Sequence, residues 1–144
     1  MSINQSKVVV GGLAAGVVAN IVGFVGFGML LGSRMEAEAA AVAPSLQGRG
    51  SSGGAIAVNV IVSFVVGFLL VWLYAAMRPR FGPGAPTAVY AALVVWVCGL
   101  VFHLDWLVVG MMTPGTFVMA SAMAMVQVLA AAWAGGVIYR EDAA

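Results

Sequence analysis

The sequence contains very little charge. Of its 144 residues, 8% are Asp, Glu, Lys or Arg and 63% are hydrophobic, whereas a soluble domain carries about 25% charged residues. So few charged side chains cannot cover a water-facing surface. The net charge of +1 gives no electrostatic basis for binding nucleic acid, which is therefore not expected as a partner. The composition excludes an ordinary soluble domain and predicts that lipid is the main solvent of this chain.

Residues that catalyse reactions or bind metals are also scarce. The single cysteine, Cys98, excludes a disulfide within the chain, and the single histidine, His103, excludes bis-histidine haem ligation within it. The sequence has no paired carboxylates, alignable Ser/His/Asp set, Cys-x-x-Cys, zinc-ligand spacing or phosphate-binding glycine loop. We therefore predict a protein that is not an enzyme and holds no cofactor.

What the sequence does contain is four long apolar stretches. A helix that crosses a membrane needs roughly 20 apolar residues, and the stretches at about 8–31, 55–77, 87–109 and 116–139 meet this length. They are too long and too uniformly apolar for membrane-spanning β-strands. We predict an all-α integral membrane protein, with residues 1–144 forming one four-helix transmembrane domain arranged as an up-down bundle.

The first stretch has one alternative interpretation, as a secretory signal peptide. Lys7 would supply its basic start, and residues 41–43, Ala-Val-Ala, resemble a small-residue cleavage site. The apolar run over residues 8–31 is, however, clearly longer than the roughly 7–15 residues of a signal-peptide core. We therefore favour an uncleaved first helix.

The distribution of basic residues predicts the orientation in the membrane. Cytoplasmic loops are enriched in Lys and Arg. With four spans, the basic residues on the side of both termini are Lys7, Arg78, Arg80 and Arg140, and those on the other side are Arg34 and Arg49. We predict a multi-pass protein with cytoplasmic N- and C-termini. Residues 32–54 would form an external loop, either a passive linker or a segment that contacts a partner.

Residues 78–86 form the predicted cytoplasmic hairpin between the second and third spans. We expect Pro79 to end the second helix and Thr87 to cap the third. Arg78 and Arg80 would lie at the charged lipid surface, which makes them candidate contacts for lipid headgroups. Membrane anchoring and turn formation explain this segment; the alternative is specific binding of anionic lipid or phosphate.

The same hairpin carries a resemblance to a known group of proteins. From Trp72 to Ala88 the chain has the pattern W-x-Y-x-x-x-R-P-R-F-G-P-G-x-x-T-A. This pattern resembles a signature of small uncharacterised bacterial four-helix membrane proteins, and the opening Gly11-Gly12-Leu13, with Gly16 and Asn20, is similar too. The resemblance implies a bacterial inner-membrane protein and implies no activity.

Small residues and amides predict how the helices pack. Gly12, Gly16 and Asn20 share one face of the first helix, and Gln127 and Ala131 share one face of the fourth. Both amides fall near the middle of the membrane, where lipid offers no hydrogen bonds. We predict that the first and fourth helices pack along these residues and bring the two amides together. The alternative is that each amide bonds a backbone group or a second copy of the chain.

His103 lies within the third apolar stretch, where an ionisable side chain is a functional hypothesis. We predict a buried polar cluster of Asn59, Ser63 and His103, with Asp105 nearby at the outer membrane surface. His103 would be a structural residue, a proton-linked or ligand-binding group, or a metal ligand. In the last case, thioether sulfurs would assist, from Met111, Met112, Met119 and Met123.

Taken together, these patterns define a class of protein without defining a reaction. We predict a small polytopic membrane protein with a structural or accessory role. Its expected partners are the lipid bilayer and either further copies of itself or a larger membrane assembly. The alternative is a small transporter or channel with a polar site near His103.

Overall fold

A computed structural model describes residues 3–139, which are almost entirely helical. The first apolar stretch forms α1 and runs directly into a π-helix, in which backbone hydrogen bonds join residues five apart. The elements in order are α1 (Gln5–Gly23), the π-helix (Phe24–Leu30), α2 (Gly32–Val42), a short 3-10 turn (Pro44–Leu46), α3 (Gly53–Phe81), α4 (Ala85–Val108) and α5 (Pro114–Ile138).

Within residues 3–139, four helices are long and apolar enough to cross a membrane: α1 with its π-helical extension, α3, α4 and α5. The shortest, α4, has 24 residues and is therefore about 36 Å long, against a hydrocarbon core of roughly 30 Å. For the described residues 3–139, the prediction of an all-α fold with four such helices is confirmed. The largest change in a boundary is in the second span, which was expected to end near residue 77 and ends at Phe81.

The predicted loop at residues 32–54 is partly helical. Its first half is α2, in which Arg34 and Glu38 form an ion pair of 3.2 Å one turn apart, a spacing that stabilises helices. Its second half turns through Pro44–Leu46 and reaches Ser52, whose hydroxyl accepts a hydrogen bond from the Ala55 backbone N–H at 3.3 Å. Ser52 is thus the N-cap of α3.

The expectation that Pro79 ends the second helix is wrong, because α3 continues to Phe81 with Pro79 inside its last turn. The proline ring fixes φ near −65°, which is a helical value, so the backbone can remain helical to Phe81 although Pro79 lacks an N–H donor and its ring crowds the Ala75 carbonyl. The helix ends where Gly82 takes φ +81°, followed by Gly84 at φ +121°, values that glycine adopts without a steric penalty.

The expectation that Thr87 caps the third helix is also wrong. The helix begins two residues earlier, at Ala85, and Gly84 occupies the N-cap position without a side-chain hydrogen bond. Thr87 is instead buried in the first turn of α4, where its hydroxyl donates to the Gly82 carbonyl at 2.6 Å. Thr87 therefore stabilises the turn between α3 and α4, because its hydroxyl bonds a carbonyl within that turn.

The contacts of α1 define the packing of the bundle. Gly11 lies against Gly135, and further along α1 the Ala19 carbonyl accepts a hydrogen bond from Gln127. Residues with higher numbers on α1 thus contact residues with lower numbers on α5, so these two helices run in opposite directions. The centre of the bundle is fully buried and consists of small and aliphatic side chains, including Ala15, Leu70, Val71, Ala91 and Ala131.

Burial is uneven along α3 and α4. The buried residues of α3 lie between Gly67 and Ala75, and those of α4 lie between Thr87 and Ala92. By contrast, residues 53–65 of α3 and 97–108 of α4 include no buried residue. We call these two segments the open halves of α3 and α4.

Candidate functional site

A cavity of about 440 Å³ opens at the end of the bundle where α3 ends and α4 begins. We call this the Asn4 end, because Asn4 lies there too, bonded to Tyr139. The cavity is lined mainly by aromatic and small residues, with one cationic side chain. Its principal lining residues are Tyr74, Arg78, Gly84, Ala85, Trp133 and Tyr139.

The Arg78 guanidinium lies beside two tyrosine rings in this cavity. Its Cζ atom is 6.0 Å from the Tyr74 ring centroid and 5.7 Å from the Tyr139 ring centroid. The two rings meet edge to face, with centroids 6.1 Å apart at 87°. Both distances are within the range of cation–π attraction. Of the two predicted headgroup contacts, Arg80 is exposed, whereas Arg78 is half-buried at the cavity.

The two tyrosine hydroxyls connect the cavity to the chain segments around it. The Tyr74 hydroxyl accepts from the Gly84 backbone N–H at 3.1 Å, and the Tyr139 hydroxyl accepts from the Asn4 backbone N–H at 3.3 Å. A phenolic oxygen that accepts a hydrogen bond keeps its own proton, which the Tyr74 hydroxyl can donate. The cavity also includes the start of α4, which no side chain caps, so the positive end of the α4 dipole lies at its wall.

A second polar site lies at the opposite end of the bundle, the Thr113 end. The Glu38 carboxylate of α2 accepts from the Thr113 backbone N–H at 2.9 Å and from the Thr116 hydroxyl at 2.7 Å. The Arg34 Nε group donates to Glu38 at 3.2 Å and to the fully buried Thr116 hydroxyl at 2.6 Å. We call Arg34, Glu38, Thr113 and Thr116 the Glu38 cluster.

The hydrogen bonds of this cluster lower the pKa of Glu38 from 4.5 to about 2. The largest contribution is the Thr113 backbone N–H, followed by the Thr116 hydroxyl, because both donate to the charged carboxylate. The carboxylate also lies at the N-terminus of α5, where the helix dipole favours negative charge. The Glu38 cluster is therefore an electrostatic clamp that holds α2 on the start of α5.

Sequence reasoning did not predict this clamp. Thr113 followed by Pro114 is a recognisable helix start, with a cap residue and proline in the first turn. Nothing in the local pattern, however, indicates that the carboxylate it meets lies 75 residues earlier. Arg34 entered the sequence analysis only through its charge.

The glycines of α1 pack on a different helix from the one predicted. A Cβ atom at Gly12 would collide with the Phe68 ring, and one at Gly16 would collide with the Phe64 ring. Both phenylalanines belong to α3, so the Gly12–Gly16 face contacts α3 and not α5. The face of α1 that meets α5 is one residue away and includes Gly11, which touches Gly135.

The side-chain nitrogens of both amides donate hydrogen bonds, but not to each other. Gln127 Nε2 crosses from α5 to the Ala19 carbonyl of α1 at 2.9 Å. Asn20 Nδ2 donates to the Gly16 carbonyl in its own helix at 2.9 Å and lies 3.4 Å from the Val60 carbonyl of α3. α1 therefore packs against α5 as predicted, but not through Gly12 and Gly16. Ala131 of α5 is fully buried, and each amide follows the backbone-bonded alternative.

The predicted cluster around His103 is not buried within the single chain. Asn59, His103 and Asp105 are exposed and Ser63 is half-buried. Asn59 donates to the Ala55 carbonyl at 2.9 Å, within α3. His103 Nδ1 lies 2.7 Å from the Gly99 carbonyl, within α4. These residues all belong to the open halves of α3 and α4.

Two of the four methionines considered as metal ligands, Met119 and Met123, contact elements other than α4. The Met119 sulfur lies 4.0 Å from Arg34 Nη1, and Met123 packs directly over Gly26 of the π-helix. Over residues 3–139 there is no group of three or more His, Cys, Asp or Glu side chains that could hold a metal ion. Met119 and Met123 are therefore occupied in packing between elements.

Comparison with known proteins does not identify a relative. No protein-family model matches the chain, and neither the curated proteins nor the solved structures contain a significant match. The function must therefore be argued from the geometry of this chain.

Proposed function

We propose that this chain is a non-enzymatic, multi-pass protein of the bacterial inner membrane that acts as a structural or accessory subunit of a larger membrane assembly. Its four long helices would cross the membrane as an up-down bundle, with both termini in the cytoplasm. The observation that carries the proposal is the exposure of the open halves of α3 and α4, which bury no residue within the chain.

The polar groups on the open halves favour a protein neighbour over lipid. Within residues 3–139, the Asn59 side-chain oxygen and His103 Nε2 have no hydrogen bond, since the bonds of both residues run through Asn59 Nδ2 and His103 Nδ1. A polar group without a hydrogen bond in an apolar medium raises the free energy of that state, by roughly 2–7 kcal/mol for an entire amide and by less when one side of the amide is already bonded. A partner helix that supplies hydrogen-bonding groups to the Asn59 oxygen and to His103 Nε2 would remove that cost.

The alternative function, a small transporter or channel, has less support. Transport would be favoured by a polar path from His103 to Asn20 and Gln127. The side chains at the centre of the bundle are instead apolar and fully buried, as at Ala15, Leu70 and Ala131. The His103 side chain is exposed on the surface of the bundle. His103→Ala is expected to leave proton and solute flux unchanged in reconstituted vesicles.

The proposal is tested by the size of the assembly in native membranes. Solubilised in a mild detergent, the wild-type chain should migrate as a discrete species heavier than its own 14.7 kDa. Asn59→Leu and His103→Leu should shift it toward the monomer, whereas Val17→Leu, at an exposed position on α1, should not. A wild-type chain that is monomeric at 14.7 kDa would contradict the proposal.

A further inference from the structure

We propose that the open halves of α3 and α4 bind a second copy of this chain, with Asn59 of each copy bonded to His103 of the other. This inference rests on the proposed accessory role, because it names the partner that covers the open halves. It comes from two hydrogen-bonding groups that complement each other and lie at the same depth in the bundle.

The open half of α4 presents a hydrogen-bond acceptor at His103. Its Nδ1 atom lies 2.7 Å from the Gly99 carbonyl oxygen, and a carbonyl oxygen can only accept, so Nδ1 carries a ring proton. In the neutral imidazole, Nε2 then keeps its lone pair. Within residues 3–139 no group donates to this atom, and the His103 side chain is exposed. A partner that suits this position therefore supplies a donor.

The open half of α3 presents such a donor at Asn59. A side-chain amide nitrogen carries two hydrogens, and Asn59 uses one of them on the Ala55 carbonyl at 2.9 Å. The second N–H has no acceptor within residues 3–139, and the Asn59 side chain is exposed. The two open halves thus carry the two members of one donor–acceptor pair.

The donor and the acceptor lie at the same depth. α3 begins at Gly53 and α4 ends at Val108, both at the Thr113 end of the bundle. Asn59 follows Gly53 by about 9 Å along α3, and His103 precedes Val108 by about 8 Å along α4. Two copies inserted in the same orientation place equal depths side by side. Asn59 of one copy therefore lies at the level of His103 of the other.

Symmetry favours a second copy over an unrelated subunit. In a two-fold dimer the same surface of both copies meets, so a contact from Asn59 to His103 is repeated from His103 to Asn59. Such a surface has to carry both a donor and an acceptor at one level, as the open halves do. Asp105 lies about 200° around α4 from His103. The contact therefore does not bring the Asp105 carboxylates of the two copies onto the His103 face.

The first test measures association of full-length chains in vesicles, by energy transfer between two fluorescent tags. Asn59→Leu and His103→Leu each remove both copies of the bond from their own dimers, so each should raise the dissociation constant about tenfold. Mixing the two variants should restore part of the association, because the mixed dimer keeps one Asn59–His103 pair. The matched control mixes Asn59→Leu with the double variant Asn59→Leu/His103→Leu, which leaves no pair and should restore nothing.

The second test uses a short bis-methanethiosulfonate crosslinker in native membranes. One tagged chain carries Asn59→Cys and a differently tagged chain carries His103→Cys, both with Cys98→Ser. The other Asn59–His103 pair of this dimer stays intact. We expect a product that carries both tags and contains twice 14.7 kDa of this chain. Phe24→Cys replaces His103→Cys in the control, since Phe24 is exposed on the π-helix, and should give little product.

Two results would overturn the second copy as the partner. One is a mixture of Asn59→Leu and His103→Leu that associates no better than either variant alone. The other is a doubly tagged product no more abundant with His103→Cys than with Phe24→Cys. If the detergent-solubilised wild type is nevertheless heavier than 14.7 kDa, a different subunit covers the open halves and the accessory role stands. A monomeric wild type would contradict both proposals.

Discussion

The Glu38 carboxylate accepts a hydrogen bond of 2.9 Å from the backbone N–H of Thr113, the residue that caps α5. This bond joins a short helix outside the long spans to the start of the last one. The same carboxylate accepts from the Thr116 hydroxyl and is paired with Arg34. Glu38 therefore joins α2 to the start of α5, together with Arg34, which donates directly to the Thr116 hydroxyl.

The first prediction concerns the pH dependence of this clamp. Because the pKa of Glu38 is lowered to about 2 from an ordinary 4.5, its contribution is complete above about pH 4.5 and is lost as the pH falls through about 2. A spin label at exposed Ala41, in a Cys98→Ser background, should become mobile over that range.

Glu38→Gln should make the label at Ala41 mobile at every pH, because the charged acceptor is gone. Glu36→Gln is the matched control: it removes the same charge from the same helix, but Glu36 accepts from the Gly48 backbone N–H and not from α5. Identical mobility profiles for the two variants would show that α2 is not held through Glu38.

The second prediction concerns close packing at Gly67. A Cβ atom there would meet the backbone of α1, within 2.8 Å of the Gly12 carbonyl oxygen and the Gly16 Cα atom. Backbone cannot rotate away, so Gly67→Ala should lower the free energy of unfolding by about 1–3 kcal/mol. Gly99→Ala is the control, since a Cβ at Gly99 meets nothing within 4 Å. Denaturation in detergent should show a loss for the first variant and none for the second.

The third prediction concerns the bond between α5 and α1. Gln127→Leu removes the donor to the Ala19 carbonyl and should lower the free energy of unfolding by about 0.6–2 kcal/mol, as measured for hydrogen bonds between membrane helices. Asn59→Leu removes the same chemical group where it bonds only its own helix. In the detergent-solubilised monomer, equal losses for the two variants would contradict the role assigned to Gln127.

The fourth prediction concerns orientation. A reporter joined after Ala144 should report the cytoplasm, and the same reporter inserted between Gly50 and Ser51 should report the outside. The reason is the excess of basic residues on the side of the termini, although Arg140 and the C-terminus lie outside the described residues. Swapped reporter signals would show that the orientation in the membrane is the reverse of the predicted one. The helix packing described above does not depend on that orientation.

The helices could be predicted from the sequence because their signal is local. A stretch such as residues 55–77 is apolar over enough length to cross a membrane whatever surrounds it. The end of that helix was less predictable: Pro79 is a strong local stop signal, but its φ is a helical value, and α3 continues to Phe81.

The helix that packs on each face of α1 was less predictable from the sequence than the helices themselves. α1 has small residues on two adjacent faces, one with Gly11 and Ala15 and one with Gly12 and Gly16. Spacing indicates that such a helix packs closely, but it does not indicate which neighbour lies on which face. The structure places α5 on the first face and α3 on the second. The hydrogen bond between Glu38 and Thr113 was equally unpredictable, because the two residues are 75 positions apart and no local pattern links them.

The most direct test of the assembly proposal is a photo-crosslinking amino acid at position 103 on the open half of α4. The control is the same probe at Leu13, which is exposed on α1. In native membranes we predict a protein adduct of defined mass at position 103 and lipid adducts at position 13. An adduct of twice 14.7 kDa would identify a second copy of the chain, and any other mass a different subunit. Lipid adducts alone at position 103 would contradict the proposal that a protein partner covers the open halves.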